Sequence, residues 1–182
     1  TDFVPLERVV LSERSLLFDA RTSGNVTVNV VNTATKKPVD YAQVLYTITD
    51  ESCFIDSTNA DGILKGKFPV GVGGFVSIAK DCYIGKLVDF DPKVNTDSSL
   101  KVEIQPVYTK KVIVKKKNVV KTPQGWQFVN TPADLSNKES ATISLTRIND
   151  EGELDFSSAS NYESEQKEPS EIEIAPGNYA AE

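Results

Sequence analysis

The side chains best suited to chemistry in this 182-residue chain are carboxylates, and they gather in two short runs. Asp89-Phe90-Asp91 with Asn95 and Asp97 is one; Asn149-Asp150-Glu151 with Glu153 is the other. Hard oxygen donors at such spacing suit calcium, but neither run follows the EF-hand order, with its central glycine and closing bidentate glutamate. Solvated loop acids are the expectation, so no cofactor is assigned, with calcium as the alternative. There is no histidine, which removes the usual Ser-His-Asp and Cys-His nucleophile arrangements. Two cysteines without histidine cannot furnish the usual zinc ligand set. Gly71, Gly73 and Gly74 lie between strand-like runs, so they read as a corner rather than a phosphate loop opening a helix. Plentiful carboxylates keep a paired-carboxylate glycosidase as the enzymatic alternative. The expectation is a protein without catalytic residues.

Cys53 and Cys82 are the only thiols. In an exported protein two cysteines usually pair. The strand pattern places them toward opposite ends of neighbouring strands, beyond the Cα reach of a disulfide unless sheets cross. Both outcomes stay open. Asn25-Val26-Thr27 is a glycosylation sequon, though it falls within a strand.

The net charge is −6, which counts against a nucleic-acid partner, since phosphates demand a basic surface. The charge is unevenly spread. Lys110, Lys111, Lys115, Lys116, Lys117 and Lys121 crowd one segment, whereas the region after Asn149 is strongly acidic. Two solvated faces are the plain reading, and head-to-tail attraction between copies is the sharper one. No apolar run approaches the length of a membrane span. The chain starts at Thr1 and lacks methionine, so a processed mature chain or an excised piece is expected.

The elements that must position these groups are strands. Val26, Val28 and Val30 alternate with Asn25, Thr27 and Asn29, the pattern of a half-buried strand. Ala42, Val44, Tyr46 and Ile48 alternate likewise. Asn59-Ala60-Asp61-Gly62 predicts a turn, because Asn, Asp and Gly tolerate φ > 0. The strand before it and residues 63–68 then form a hairpin, with Ile63, Lys65 and Lys67 on one face and Leu64, Gly66 and Phe68 on the other. Residues 69–74 turn the chain, and residues 75–79 return it. Further strands are expected at 86–90, 100–105, 126–128 and 141–148, while 157–170 reads as a polar loop. Trp126 and Phe128 share a face, and the lone tryptophan reads as a core anchor rather than a ligand platform. Residues 1–20 fit either an amphipathic helix starting at Pro5 or two short strands around residues 12–14, and the β-rich remainder favours strands. Short strands at near-regular spacing indicate an all-β, Ig-like sandwich.

Residues 24–107 resemble the carboxypeptidase-regulatory-like, transthyretin-like domains of surface proteins. The resemblance rests on Gly24-Asn25-Val26-Thr27-Val28, on Lys37-Pro38-Val39 leading to Ala42 and Val44, on Thr58-Asn59-Ala60-Asp61-Gly62, and on Pro69 and Gly71 leading to Phe75 and Tyr83. It implies a transthyretin-like β-sandwich and an extracellular spacer or interaction module. Hydrolases on similar sandwiches depend on histidines, which are absent. The self-crosslinking adhesin domains use a first-strand lysine, and residues 26–32 contain none. Neither activity is carried over.

Residues 173–179, with Pro176-Gly177 followed by Tyr179, echo Pro69 and Gly71 followed by Phe75. Strands continue for many residues after the first corner, but the chain stops soon after the second. Two tandem sandwiches are therefore expected, at 21–107 and 108–182, the second unclosed. An open edge is a template for pairing. Three explanations compete: the chain is cut from a longer protein, residues 1–20 fold back to fill the gap, or they act as a donor strand for a neighbouring copy, with Val9, Leu11, Leu16, Phe18, Ile172, Ile174 and Tyr179 as the interface. The functional expectation is a non-catalytic structural protein, a filament subunit or stalk segment at the cell surface, assembling by strand exchange. The alternative is an adhesion module for a glycan or a host surface protein.

Overall fold

The computed structural model describes residues 17, 19–164 and 169–182. Val9, Leu11, Leu16 and Phe18 lie outside the described residues, and so does any donor strand built on them. The described chain is all-β, with fifteen strands and no α-helix. It divides into two compact units. Among the described residues, one holds those up to Lys80 together with Lys86–Glu103, and the other holds Asp81–Gly85 with those from Ile104 to Glu182. The division differs from the expected boundary near residue 107, because Asp81–Gly85 packs with the second unit.

In the first unit β1 (Val26–Asn32) lies between β4 (Ile63–Gly66) and β8 (Ser98–Pro106), the last of which runs on into the second unit. A second sheet has the order β3 (Glu51–Ser57), β2 (Gln43–Ile48), β5 (Phe75–Ala79), β7 (Lys86–Asp89). Alternation explains the core. Val26, Val28 and Val30 are buried while Thr27 and Asn29 stay half-exposed, as a pleated strand with one covered face requires. Val44 opposes Ile78 and Tyr46 opposes Val76 on β2 and β5, and all four are fully buried. Phe68 bridges edge-to-face to Tyr46 and to Phe90, with centroids 5.9 Å apart in each pair.

The turn at residues 59–62 forms as expected, but it does not close a hairpin. Strand β3 pairs with β2, whereas β4 pairs with β1, so this turn carries the chain from one sheet to the other. The Asn59 side-chain oxygen accepts the N–H groups of Asp61 and Ile63 at 3.0 and 2.9 Å. Gly62 has φ +70°, and a Cβ there would come within 2.6 Å of the Val30 carbonyl oxygen. That carbonyl belongs to β1, so the glycine fixes the crossover.

The second unit holds β6 (Tyr83–Ile84), which pairs with the end of β8, and β9 (Tyr108–Val112), which pairs with β14 (Ser170–Ile174). Strand β12 (Ser140–Ile148) is flanked by β13 (Ser157–Glu163) and β15 (Asn178–Ala181). Residues 157–163 were expected to be a loop. Their side chains are mostly small and polar, so no apolar alternation marks them, yet seven residues pair with β12. The chain's ending also differs from expectation. After the Pro176-Gly177 corner, β15 pairs with β12 from Leu145 to Ile148. β15 is the outer strand of that sheet, whose order is β13, β12, β15.

Candidate functional site

The buried polar groups of the first unit mostly hold its own backbone. Thr58 Oγ1 accepts from the Ala42 N–H at 2.9 Å and donates to the Val39 carbonyl at 2.8 Å. Ser23 Oγ accepts the Phe68 N–H at 2.8 Å. The Asn32 side chain accepts the N–H groups of Ala34 and Thr35. Tyr46 and Ser98 are exceptions, and the Tyr46 hydroxyl is buried without a hydrogen-bond partner. Burial first, and the nearby Asp91 carboxylate second, push the Tyr46 pKa up.

The candidate calcium ligands are similarly engaged. Asp91 accepts the Gly74 N–H at 3.0 Å, and Asp97 accepts the Asn25 N–H at 2.7 Å. Among the described residues, no group of three or more acids or cysteines is placed to hold a metal. Cys53 is buried in β3 and Cys82 is exposed in a turn; both are free thiols, so the considered bridge is absent.

In the second unit, Arg147 gathers the acidic loop that follows it. Its guanidinium pairs with the Glu153 carboxylate, bonds Asn149 Oδ1 at 3.5 Å and approaches Asp150 at 3.9 Å. Nε donates to the Pro176 carbonyl at 3.1 Å. Gly177, at φ +148°, packs against the guanidinium, where a Cβ would stand 2.6 Å from Nε. The proposed interface residues Ile172 and Tyr179 also serve the unit itself. Ile172 is buried, and Ile174 is half-buried. The Tyr179 hydroxyl accepts the Ala175 N–H and donates to the Ala175 carbonyl, both at 2.8 Å. That is a closed bracket across the Pro-Gly corner. A groove of about 520 Å³ beside Ile172 is lined mainly by serines, Thr109, Glu171 and Glu173.

The lysine cluster leads to an exposed apolar surface. Lys115 pairs with Asp134, which raises the lysine pKa, and Lys116 pairs with Glu139. The hydrogen bond from Lys116, and then that from the Ser136 N–H, lower the Glu139 pKa. Beyond these anchors β10 (Val119–Thr122) and β11 (Gly125–Phe128) form a sheet of two strands. Val119 opposes Phe128 and Lys121 opposes Trp126, so these four residues share one face. Trp126 is 71% exposed and Phe128 70%, which overturns the reading of the tryptophan as a core anchor. The Lys121 ammonium lies 5.9 Å from the centre of the Trp126 ring, within cation–π range. Shared-face spacing was legible in the sequence. Exposure was not, because a strand's pattern cannot reveal that no second sheet covers it.

No family model and no curated protein matches the chain. Among solved structures it is similar to the Bacillus anthracis TIE protein, at 14% identity and a TM-score of 0.39 over 88% of this chain. The chain spans 27% of that protein's length. A likeness so loose carries nothing about function.

Proposed function

We propose that the chain is a non-catalytic structural module of an extracellular or cell-surface protein, a stalk segment or filament subunit. The observation behind this reading is where the polar side chains point. Thr58, Ser23, Asn32, Asn59, Asp91 and Asp97 are all bonded to backbone amides of the same chain. An enzyme site needs such groups aimed at a substrate; here they fix turns and crossovers. Strand exchange between copies was the expected mode of assembly. β15 is the outer strand of its sheet beside β12, so an edge remains on which a further strand could pair.

A second reading, an adhesion module for a glycan or surface protein, has one observation in its favour: the uncovered Trp126 and Phe128. Antibody raised against the chain and applied to intact cells of the source organism tests the first reading. Label along surface stalks or filaments supports it. Label that appears only after the cells are opened overturns it.

A further inference from the structure

We propose that the face shared by Lys121, Trp126 and Phe128 docks on the 148–155 loop of a second copy of this chain, joining copies head to tail. The inference rests on the structural-module reading and names the contact by which modules would associate. A sheet of two four-residue strands with almost no buried side chain is marginal in water by itself. Val119, Trp126 and Phe128 together form an apolar strip of the kind that marks an interaction surface.

The chemistry of the occupant follows from charge. Residues 105–133 contain six lysines and no acid. Lys115 and Lys116 are already paired, and no ion pair engages Lys117 or Lys121 among the described residues. The required partner is therefore apolar and acidic. The same unit presents such a surface. Ile148 is 65% exposed and Leu154 38% exposed, and both belong to the run that holds Asp150, Glu151 and Asp155. Asp150 and Glu153 are held by Arg147, and Asn149 bonds Asp155 at 2.9 Å, so the loop is shaped before any partner arrives. Preorganisation reduces what docking must order.

Other occupants fit less of this. A membrane would need an apolar hairpin tip, but the tip is Pro123-Gln124, and the opposite face carries Thr122 and Gln127 beside Val120. A nucleic acid presents a dense phosphate array, which a chain of net charge −6 is poorly suited to neutralise. A glycan could stack on the rings but leaves the Ile148 and Leu154 surface without a role. Hairpin and loop are different surfaces, so a one-way contact leaves one of each free to bind further copies, in a ring or an open chain.

Sedimentation velocity on the full chain, over a concentration series at low and high salt, tests the contact. The wild-type chain is expected to self-associate, more weakly at high salt. Reversing the hairpin charge (Lys117→Glu with Lys121→Glu), or the loop charge (Glu151→Lys with Asp155→Lys), should weaken association at least about tenfold. An equimolar mixture of the two variants should recover it, because each hairpin then meets an oppositely charged loop. Circular dichroism of each variant verifies folding, and Trp126→Ser with Phe128→Ser serves as an uncharged second probe. A wild-type chain that stays monomeric overturns the proposal. Association that survives charge reversal, or is not restored in the mixture, overturns it too. Surface labelling of cells is unaffected by either outcome, so the structural reading stands or falls separately.

Discussion

Arg147 and Glu153 form an ion pair with both side chains nearly hidden from water, 4% and 10% exposed respectively. A pair this deep is sensitive to losing one member, since the survivor keeps its charge without its counter-ion. Glu153→Gln should destabilise the second unit by about 3–5 kcal/mol. Replacing both, as Arg147→Met with Glu153→Leu, should recover part of that loss. Hydrogen exchange of the β12 amides under mild denaturant reads both variants. Equal protection in wild type and Glu153→Gln would show that the pair contributes no stability.

The Tyr179 bracket makes its own prediction. Ala175 is 1% exposed, so its N–H and C=O depend on the tyrosine hydroxyl. Tyr179→Phe leaves the ring in place and removes both bonds, at a cost of about 1–3 kcal/mol. The loss should appear as faster exchange of the Ala175 amide and of β15. Gly177→Ala should act on the same corner by pressing on Arg147, and a thermal melt would register both.

Tyr46 should behave in the opposite way. Its hydroxyl is buried and unpartnered, so Tyr46→Phe removes a desolvation penalty and should be neutral or stabilising by up to about 1 kcal/mol. The pH dependence follows from the raised pKa. Its contribution is fully present below the unfolded tyrosine pKa of about 10 and is lost as pH climbs from there through the folded value. Urea midpoints measured from pH 8 to 11.5 should fall more steeply for wild type than for Tyr46→Phe.

Thiol chemistry separates the two cysteines. Exposed Cys82 should react with a thiol reagent in the native protein, whereas Cys53, 1% exposed and bonded by the Arg21 guanidinium, should react only on unfolding. Mass spectrometry counts the adducts. Finding neither labelled until a reductant is added would mean the two are bridged.

The sequence by itself determined the class of fold and much of the first unit. Val26, Val28 and Val30 alternate with polar neighbours, and such a period can satisfy both water and core only as a strand with one face covered. The Asn59 turn was equally legible, because its oxygen reaches amides within four residues. Pairing was not legible: nothing near residues 59–62 in sequence says that β3 joins β2 while β4 joins β1, since those partners are brought together only by the packed sheets. The same limit hid β13, whose pairing with β12 is made by backbone groups that every sequence possesses. It hid the Arg147 cluster, which needs the corner at Pro176 folded over a strand about thirty residues earlier. Trp126 shows the converse. Its residue type suggested a core, and only the tertiary structure, by placing no sheet above the hairpin, made it a surface.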